Sequence, residues 1–193
     1  MTKRTLLLMC LLLIFIINGF GQDFSAIIKS AKEGNPAGQY NYGTMYYYGK
    51  GVRENKNEAL FWYKKSAEQG LAQAQCKLGL MYLRGEGCTR NYTNAFYWIK
   101  KSAEQGFALG QFNLGLMYDI GAGVQIDKRK AFTWYKNAAV QDFAQAQYNL
   151  AVLYYEGNGI PKDNKKAAFW MRKAYENGLE IAKDAGVALK LFK

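Results

Sequence analysis

Four side chains that could hydrogen-bond a peptide backbone recur at intervals of 36 residues: Asn41, Lys77, Asn113 and Asn149. An amide side chain donates and accepts hydrogen bonds and an ammonium group donates them, so this row could bind the N–H and C=O groups of an extended peptide. Leucines, a tyrosine and an arginine lie nearby along the chain, and exposed apolar patches often mark interaction sites. The candidate partner-binding residues are Asn41, Tyr48, Lys77, Leu80, Arg84, Asn113, Leu116 and Asn149.

Catalytic chemistry has little support in the same sequence. The chain contains no histidine, which removes the commonest general base and a common metal ligand. It also has no G-x-S-x-G, H-E-x-x-H, S-x-x-K or P-loop motif. Its glycine pairs resemble phosphate-binding loops only superficially, because they recur every 36 residues and fit turns better. We therefore predict no catalytic residue, no cofactor and no metal site.

The candidate row belongs to a repeat that runs through most of the chain. All four tryptophans, Trp62, Trp98, Trp134 and Trp170, are 36 residues apart, and alanine, tyrosine, glutamine and glycine positions keep the same spacing. A fixed period of about 20 to 50 residues is typical of a solenoid. We place full units at about 35–70, 71–106, 107–142 and 143–178, with an N-terminal half-repeat at 23–34 and a C-terminal helix at 179–193.

Each unit is predicted to be a pair of helices, A and B, joined by a short loop. Two stripes of small or apolar residues with a period of 3.6 residues flank a G-x-G sequence that favours the end of a helix. Gly43, Gly79 and Gly115 fall inside helix A, where glycine costs about 1 kcal/mol relative to alanine. We therefore expect a neighbouring helix to approach closely at these glycines.

The run AQAQ…LGLMY…GEG…AFYWIKKSAEQG resembles the Sel-one-like repeat (SLR), a relative of the tetratricopeptide repeat. The resemblance covers 35–178 closely and 23–193 loosely. It implies an all-α fold, a right-handed α/α superhelix of four hairpins with capping half-repeats, and a role as an adaptor or scaffold with helix A on the concave face. Three residues depart from the pattern, Thr133, Asp142 and Tyr175, and we expect the turn at Asp142 to be strained or reshaped.

Two readings of the candidate row remain open. It could line an open binding groove, or adjacent A helices could bury part of it. The aromatic positions are simpler, because the tryptophans are predicted to form a continuous core between hairpins, with carbohydrate binding as the alternative. The tyrosines that share this prediction are Tyr46, Tyr82, Tyr118 and Tyr154.

The first 21 residues indicate a secretory signal peptide. Lys3 and Arg4 precede an apolar run over 6–17, which is shorter than the roughly 20 residues that cross a bilayer. Gly19 and Gly21 provide small residues before a cleavage site that we place after Gly21. The alternative is an uncleaved anchor. We expect a periplasmic or secreted protein of bacterial type.

The chain is basic, and its two cysteines outside the signal segment are predicted to be free thiols. The net charge is +11, and loss of Lys3 and Arg4 leaves +9. Many of the basic residues are expected on the outer side of helix B, as a solvated face or a weak contact with acidic partners or anionic lipid: Lys64, Lys65, Lys100, Lys101, Lys136, Arg172 and Lys173. Cys76 and Cys88 should lie farther apart than the roughly 7 Å that a disulfide allows.

The favoured function is an exported, non-catalytic, monomeric adaptor that binds a protein or peptide on the helix-A face. Export and the absence of an RNA-binding signature argue against nucleic acid as a partner. One alternative is a cell-envelope binder of glycan or of an anionic surface. The family resemblance implies another, a β-lactam-binding or β-lactam-hydrolysing protein.

Overall fold

A computed structural model of the chain describes residues 24–192. Within this range the secondary structure consists of ten α-helices without a strand, so the prediction of an all-α fold is confirmed. The predicted signal peptide, 1–21, lies outside the described residues. The helices are α1 (Phe24–Lys32), α2 (Pro36–Tyr48), α3 (Lys56–Glu68), α4 (Ala72–Arg84), α5 (Tyr92–Glu104), α6 (Ala108–Ile120), α7 (Lys128–Ala139), α8 (Ala144–Glu156), α9 (Asn164–Glu176) and α10 (Ile181–Ala188).

The helices pack as a solenoid. Each contacts mainly the helix before it and the helix after it in the chain, and α4 also contacts α6. The A helices are α2, α4, α6 and α8, and the B helices are α3, α5, α7 and α9. Because each unit contacts only its neighbours, residues spaced by 36 positions occupy equivalent sites on successive helices.

Recurrent capping residues set the helix bounds. The B helices begin after Asn55, Asn91, Asp127 and Asp163, whose side chains accept hydrogen bonds from N–H groups of the first turn. The A helices end at Gly49, Gly85, Gly121 and Gly157, which adopt left-handed backbone conformations that suit glycine. These ends place the G-x-G sequence in the A–B loop, as predicted.

The predicted close approach at helix-A glycines is present. A Cβ atom on Gly79 would lie 2.5 Å from Cγ1 of Ile99 and 3.1 Å from the Ala95 carbonyl oxygen. A Cβ atom on Gly43 would lie 2.9 Å from the ring of Tyr63. The glycines therefore allow helix A to pack directly against the B helix of its own unit.

The prediction that the tryptophans form a continuous core is wrong. All four are only partly buried, and they pack against the edges of four separate apolar clusters. The fully buried position is the next residue along each B helix, because that residue points into the joint with helix A. It is occupied by Tyr63, Ile99, Tyr135 and Met171.

A network of amide side chains joins successive units. In the first unit, Nε2 of Gln69 donates to Oε1 of Gln39 at 2.7 Å and to the Gly34 carbonyl at 2.9 Å. The same bonds recur at Gln105 and Gln141. The glutamines that accept them are nearly or fully buried, so the network satisfies amide groups inside the joint between units.

Two further expectations are confirmed. Asp142 adopts a left-handed conformation with φ 60°, where the other units have glycine at the end of the B helix. Cys76 and Cys88 are free thiols. Burial raises the pKa of the Cys76 thiol to about 12, so this thiol is protonated near neutral pH.

Candidate functional site

The eight predicted partner-binding residues differ widely in exposure. Asn41, Tyr48 and Arg84 are exposed, and Lys77, Leu116 and Asn149 are partly buried. Leu80 and Asn113 are each only 8% exposed. The predicted set is therefore exposed at some positions and part of the packing between helices at others, and its role in binding stays a prediction.

Leu80 and Asn113 are corrections to the predicted binding set. Leu80 joins the central apolar cluster together with Cys76 and Leu114, which lie on the two neighbouring A helices α4 and α6. Nδ2 of Asn113 donates to the Leu109 carbonyl at 2.7 Å, inside its own helix. Contact between successive A helices thus covers the middle of the row.

The first two units bring several of the predicted residues together around a tyrosine that sequence reasoning missed. The Tyr47 hydroxyl donates to Oε2 of Glu86 at 2.8 Å, and Arg84 Nη1 lies 3.7 Å from Oε1 of the same carboxylate. The Tyr47 and Tyr48 rings pack edge to face with centroids 4.8 Å apart. We call Tyr47, Tyr48, Lys77, Arg84 and Glu86 the Tyr47 cluster.

Two ammonium groups lie beside the exposed ring of Tyr48. Lys50 Nζ is 5.6 Å from the ring centroid and Lys77 Nζ is 5.9 Å from it, within the range of a cation–π contact. Tyr48 is 53% exposed, and neither lysine forms an ion pair with a carboxylate of the residues that the structure describes. This end of the helix-A face therefore offers an aromatic surface and two uncommitted cations.

The electrostatics around Tyr47 favour a fixed arrangement. Burial and the hydrogen bond to Glu86 raise the pKa of Tyr47, so its hydroxyl remains a donor at neutral pH. Lys56 Nζ lies 3.5 Å from the centroid of the Tyr47 ring. Glu86 is thus occupied by Tyr47 and Arg84 and is paired with neither of the two lysines beside Tyr48.

The other end of the helix-A face is largely satisfied by its own contacts. The Tyr135 hydroxyl donates to Oδ2 of Asp119 at 3.3 Å, and Lys128 forms an ion pair with the same carboxylate. Asn149 also hydrogen-bonds Tyr135, whose pKa is raised by burial and by the charge of Asp119.

A separate apolar groove has a volume of about 430 Å³. It is lined by Leu83, Tyr92, Ile120, Gly121 and Ala122.

Sequence reasoning missed Tyr47, Lys50 and Glu86. The available signal was the run Tyr46–Tyr47–Tyr48, since the other units have at most two consecutive tyrosines there. The candidate residues were chosen from a helix-A stripe that varies between units, and Tyr47, Lys50 and Glu86 lie outside that stripe.

Residues 24–192 contain no group of histidine, cysteine, aspartate and glutamate side chains arranged to hold a metal ion. In the same range, every helix is too short or too polar to cross a membrane.

Comparison with known proteins identifies the repeat. The family model of the Sel1 repeat matches residues 36–71, 72–107, 108–142, 144–179 and 174–193. The chain belongs to the Sel1 repeat family. The last match overlaps the segment that we predicted as a C-terminal helix. Sel1 repeat proteins are generally scaffolds for protein interaction and are typically non-catalytic. No curated protein matches the chain significantly.

Solved structures of other Sel1 repeat proteins share the fold. A protective antigen of uropathogenic Escherichia coli is 35% identical, with a TM-score of 0.78 over 81% of this chain and 33% of that chain. A Sel1 repeat protein from Oxalobacter formigenes is also 35% identical, with a TM-score of 0.77 over 82% and 63%. Helicobacter pylori cysteine rich protein B is 27% identical, with a TM-score of 0.54 over 68% and 97%. The chain spans about a third of the first relative and less than two thirds of the second.

Proposed function

We propose that this Sel1 repeat protein is an exported adaptor that binds an acidic peptide segment of a partner protein at the Tyr47 cluster. The observation that carries the proposal is the exposed ring of Tyr48 with Lys50 and Lys77 beside it, neither of which forms an ion pair within residues 24–192. An aromatic surface beside free cations suits a peptide that carries aspartate or glutamate next to an apolar residue. Export is supported by the sequence of segment 1–21.

The arrangement supports binding and offers little for chemistry. Lys77 is positioned by helix α4 over rings that belong to α2, so two successive A helices form one surface. Glu86 holds Tyr47 and Arg84, which keeps the surface ordered before a partner arrives, and order in advance lowers the entropic cost of binding. No contact among residues 24–192 favours the glycan-binding or β-lactam-binding alternatives, so the proposal is confined to a protein or peptide partner.

A peptide library displayed on phage, selected against the full chain, tests this function. We expect enriched peptides to carry acidic residues and to lose at least tenfold in affinity for the Lys50→Gln/Lys77→Gln variant, because hydrogen bonds to charged groups contribute about 1.5–3 kcal/mol. The control is Lys136→Gln/Lys165→Gln, which removes the same charge from exposed positions on helices α7 and α9. Selected peptides that bind all three proteins equally well would refute the proposed site.

A further inference from the structure

The positive charge of the repeat lies almost entirely on one layer of helices. The B helices α3, α5, α7 and α9 carry formal charges of +1, +1, +4 and +3, whereas the A helices α2, α4, α6 and α8 carry 0, +2, −1 and −1. The B layer is thus +9 and the A layer is neutral. A field of one sign over one layer attracts an acidic partner to that layer, independently of the partner proposed for the helix-A face.

Each B helix has an exposed stripe at positions i, i+4 and i+7, which lie on one side of a helix. We call the four stripes together the outer B face. The middle position is aromatic in three units: Phe61, Tyr97, Thr133 and Phe169. The last position is basic in every unit: Lys64, Lys100, Lys136 and Arg172. The first position changes from polar to basic along the chain: Asn57, Thr93, Arg129 and Lys165.

The aromatic residues of this face are half exposed, and two of them, Phe61 and Tyr97, lie next to cations. Phe61, Tyr97 and Phe169 are 48%, 50% and 54% exposed. Lys65 Nζ lies 4.6 Å from the Phe61 centroid, and Lys101 Nζ lies 4.7 Å from the Tyr97 centroid. Aromatic rings exposed beside lysine or arginine are the combination that proteins place at the headgroup level of a bilayer.

The cations of the C-terminal half are available to a partner. Lys64 and Lys100 are held in ion pairs with glutamates of their own helices. By contrast, Arg129, Lys136 and Lys165 have no ion-pair partner among the carboxylates of residues 24–192. The outer B face is therefore most strongly attractive to anions at α7 and α9.

We infer that the outer B face docks on an anionic lipid bilayer, with α7 and α9 against the headgroups and Phe169 in the interface. The last position of the stripe is basic on all four helices, and α7 and α9 also have a basic first position, which suits a surface of many equivalent anionic headgroups. Each lysine or arginine near an anionic membrane contributes about 1 kcal/mol, so several together give stable but salt-sensitive binding. The docking is peripheral and leaves the helix-A face open.

Co-sedimentation with lipid vesicles tests the inference. The full chain is expressed and purified, and the wild type and all variants are checked to begin at the same residue, so that segment 1–21 does not differ between them. We expect binding to vesicles of phosphatidylcholine mixed with phosphatidylglycerol, and much weaker binding to phosphatidylcholine alone. Raising the salt from about 0.1 M to about 1 M should release the protein, because the Debye length falls from about 10 Å to about 3 Å. Equal binding to both kinds of vesicle would overturn the inference.

Two pairs of lysine substitutions test whether vesicles bind at the outer B face. Lys136→Gln/Lys165→Gln should weaken vesicle binding about 30-fold, from about 1 kcal/mol for each lysine. Lys50→Gln/Lys77→Gln removes the same charge from the helix-A face and should change vesicle binding less than threefold while reducing peptide binding. If both pairs weaken vesicle binding equally, the outer B face is not the site. Vesicle binding is measured without a peptide, so a failed peptide selection does not change its result, and the two proposals are tested separately.

A third variant tests whether Phe169 enters the bilayer interface. Phe169→Thr introduces the residue that the third unit has at the same position, Thr133, so it is compatible with the fold. We expect it to weaken vesicle binding about fivefold, because a half-exposed phenylalanine gains about 1 kcal/mol when the rest of its ring is buried. If the lysine variant weakens binding and Phe169→Thr does not, the contact is purely electrostatic and Phe169 does not enter the interface, which overturns the proposed mode of docking.

Discussion

At the scale of single residues, Asp142 and Asn177 show how one departure from a repeat is matched by another. In the other units a glutamine just after helix B donates to a backbone carbonyl in the turn before helix A and to a buried glutamine. Asn177 is one methylene shorter, and its Nδ2 donates to Oδ1 of Asp142 at 3.2 Å and to Oε1 of Gln147 at 2.9 Å. The side-chain carboxylate of Asp142 thus accepts the hydrogen bond that the backbone carbonyl accepts in the other units.

This pairing predicts a non-additive double substitution. Asp142→Gly alone removes an acceptor from Asn177 and Gln147, although it relieves a left-handed backbone at a non-glycine residue. Adding Asn177→Gln recreates the residues of the other units, so the double variant should be more stable than the two single changes predict by about 1 kcal/mol. Urea unfolding of the four proteins measures this coupling. Strictly additive free energies of unfolding would show that the two residues act independently.

At the scale of helices, the distance between A and B is set by one small residue in each A helix. Gly79 lies against Ile99, and the corresponding pair in the fourth unit is Ala151 with Met171, which share a buried cluster. Methionine is unbranched and adapts its shape, whereas isoleucine is branched at Cβ and stiff. The larger residue on helix A is thus matched by a more flexible one on helix B.

A substitution and its rescue follow from this comparison. Gly79→Ala places a Cβ atom 2.5 Å from Ile99 Cγ1 and should destabilise the protein by about 1–2 kcal/mol, since overpacking outweighs the better helix propensity of alanine. Gly79→Ala/Ile99→Met reproduces the pair of the fourth unit and should recover most of that loss. Thermal unfolding monitored by circular dichroism compares the variants. If Ile99→Met brings no recovery in the Gly79→Ala background, the packing account of this joint fails.

The same helices show what the sequence could predict. The period of 36 residues and the G-x-G positions located the helices and the A–B loops, because these features depend on local conformation, and the costly glycines inside helix A indicated the close approach at Gly79. Recurrence alone did not decide whether a side chain is buried. The invariant tryptophans are partly exposed, whereas Tyr63, Ile99, Tyr135 and Met171 differ in type and are fully buried. A residue type can therefore recur every 36 residues where the side chain is only partly buried, as well as where it is fully buried between helices A and B.

The candidate site was predicted only in part for a related reason. Tyr48, Lys77 and Arg84 were identified from positions that vary between units, and the structure brings them together. Leu80 and Asn113 were assigned to the same surface but are buried, because the contact between helices α4 and α6 depends on how the units stack. The stacking geometry is a property of the assembled units and leaves no spacing signal in any one of them.

At the scale of the whole molecule, the titratable groups predict a free energy of unfolding that is constant over a broad range of pH. The chain has no histidine, so no side chain of ordinary pKa titrates between the carboxylates and the cysteines. On the acid side, hydrogen bonds from backbone N–H groups lower the pKa values of Asp127 and Asp163 below 3.8. Their contribution to stability is therefore present above that value and is lost as the pH falls through the lowered pKa.

The alkaline limit of this pH range is set by buried acids. The pKa of Cys76 is raised from 9.0 to about 12, and burial also raises the pKa values of Tyr63 and Tyr135 above 10.0. Above pH 9.0 the unfolded thiol loses its proton before the folded one, so the unfolded state gains stability and the free energy of unfolding falls. The slope from one such group is about 1.4 kcal/mol for each pH unit until the folded pKa is reached.

We therefore expect urea midpoints that are constant from about pH 5 to about pH 8.5 and that fall steeply above this range. Cys76→Ala removes the group whose unfolded form loses its proton at the lowest pH. The urea midpoint of this variant should therefore begin to fall at a pH about one unit higher, where the tyrosines of the unfolded chain begin to lose their protons. Cys88→Ala is the matched control, because this thiol is only partly buried and its removal should shift the onset less. A midpoint that changes between pH 6 and pH 8 would contradict this account, since stability there would depend on a group other than Cys76, Tyr63 and Tyr135.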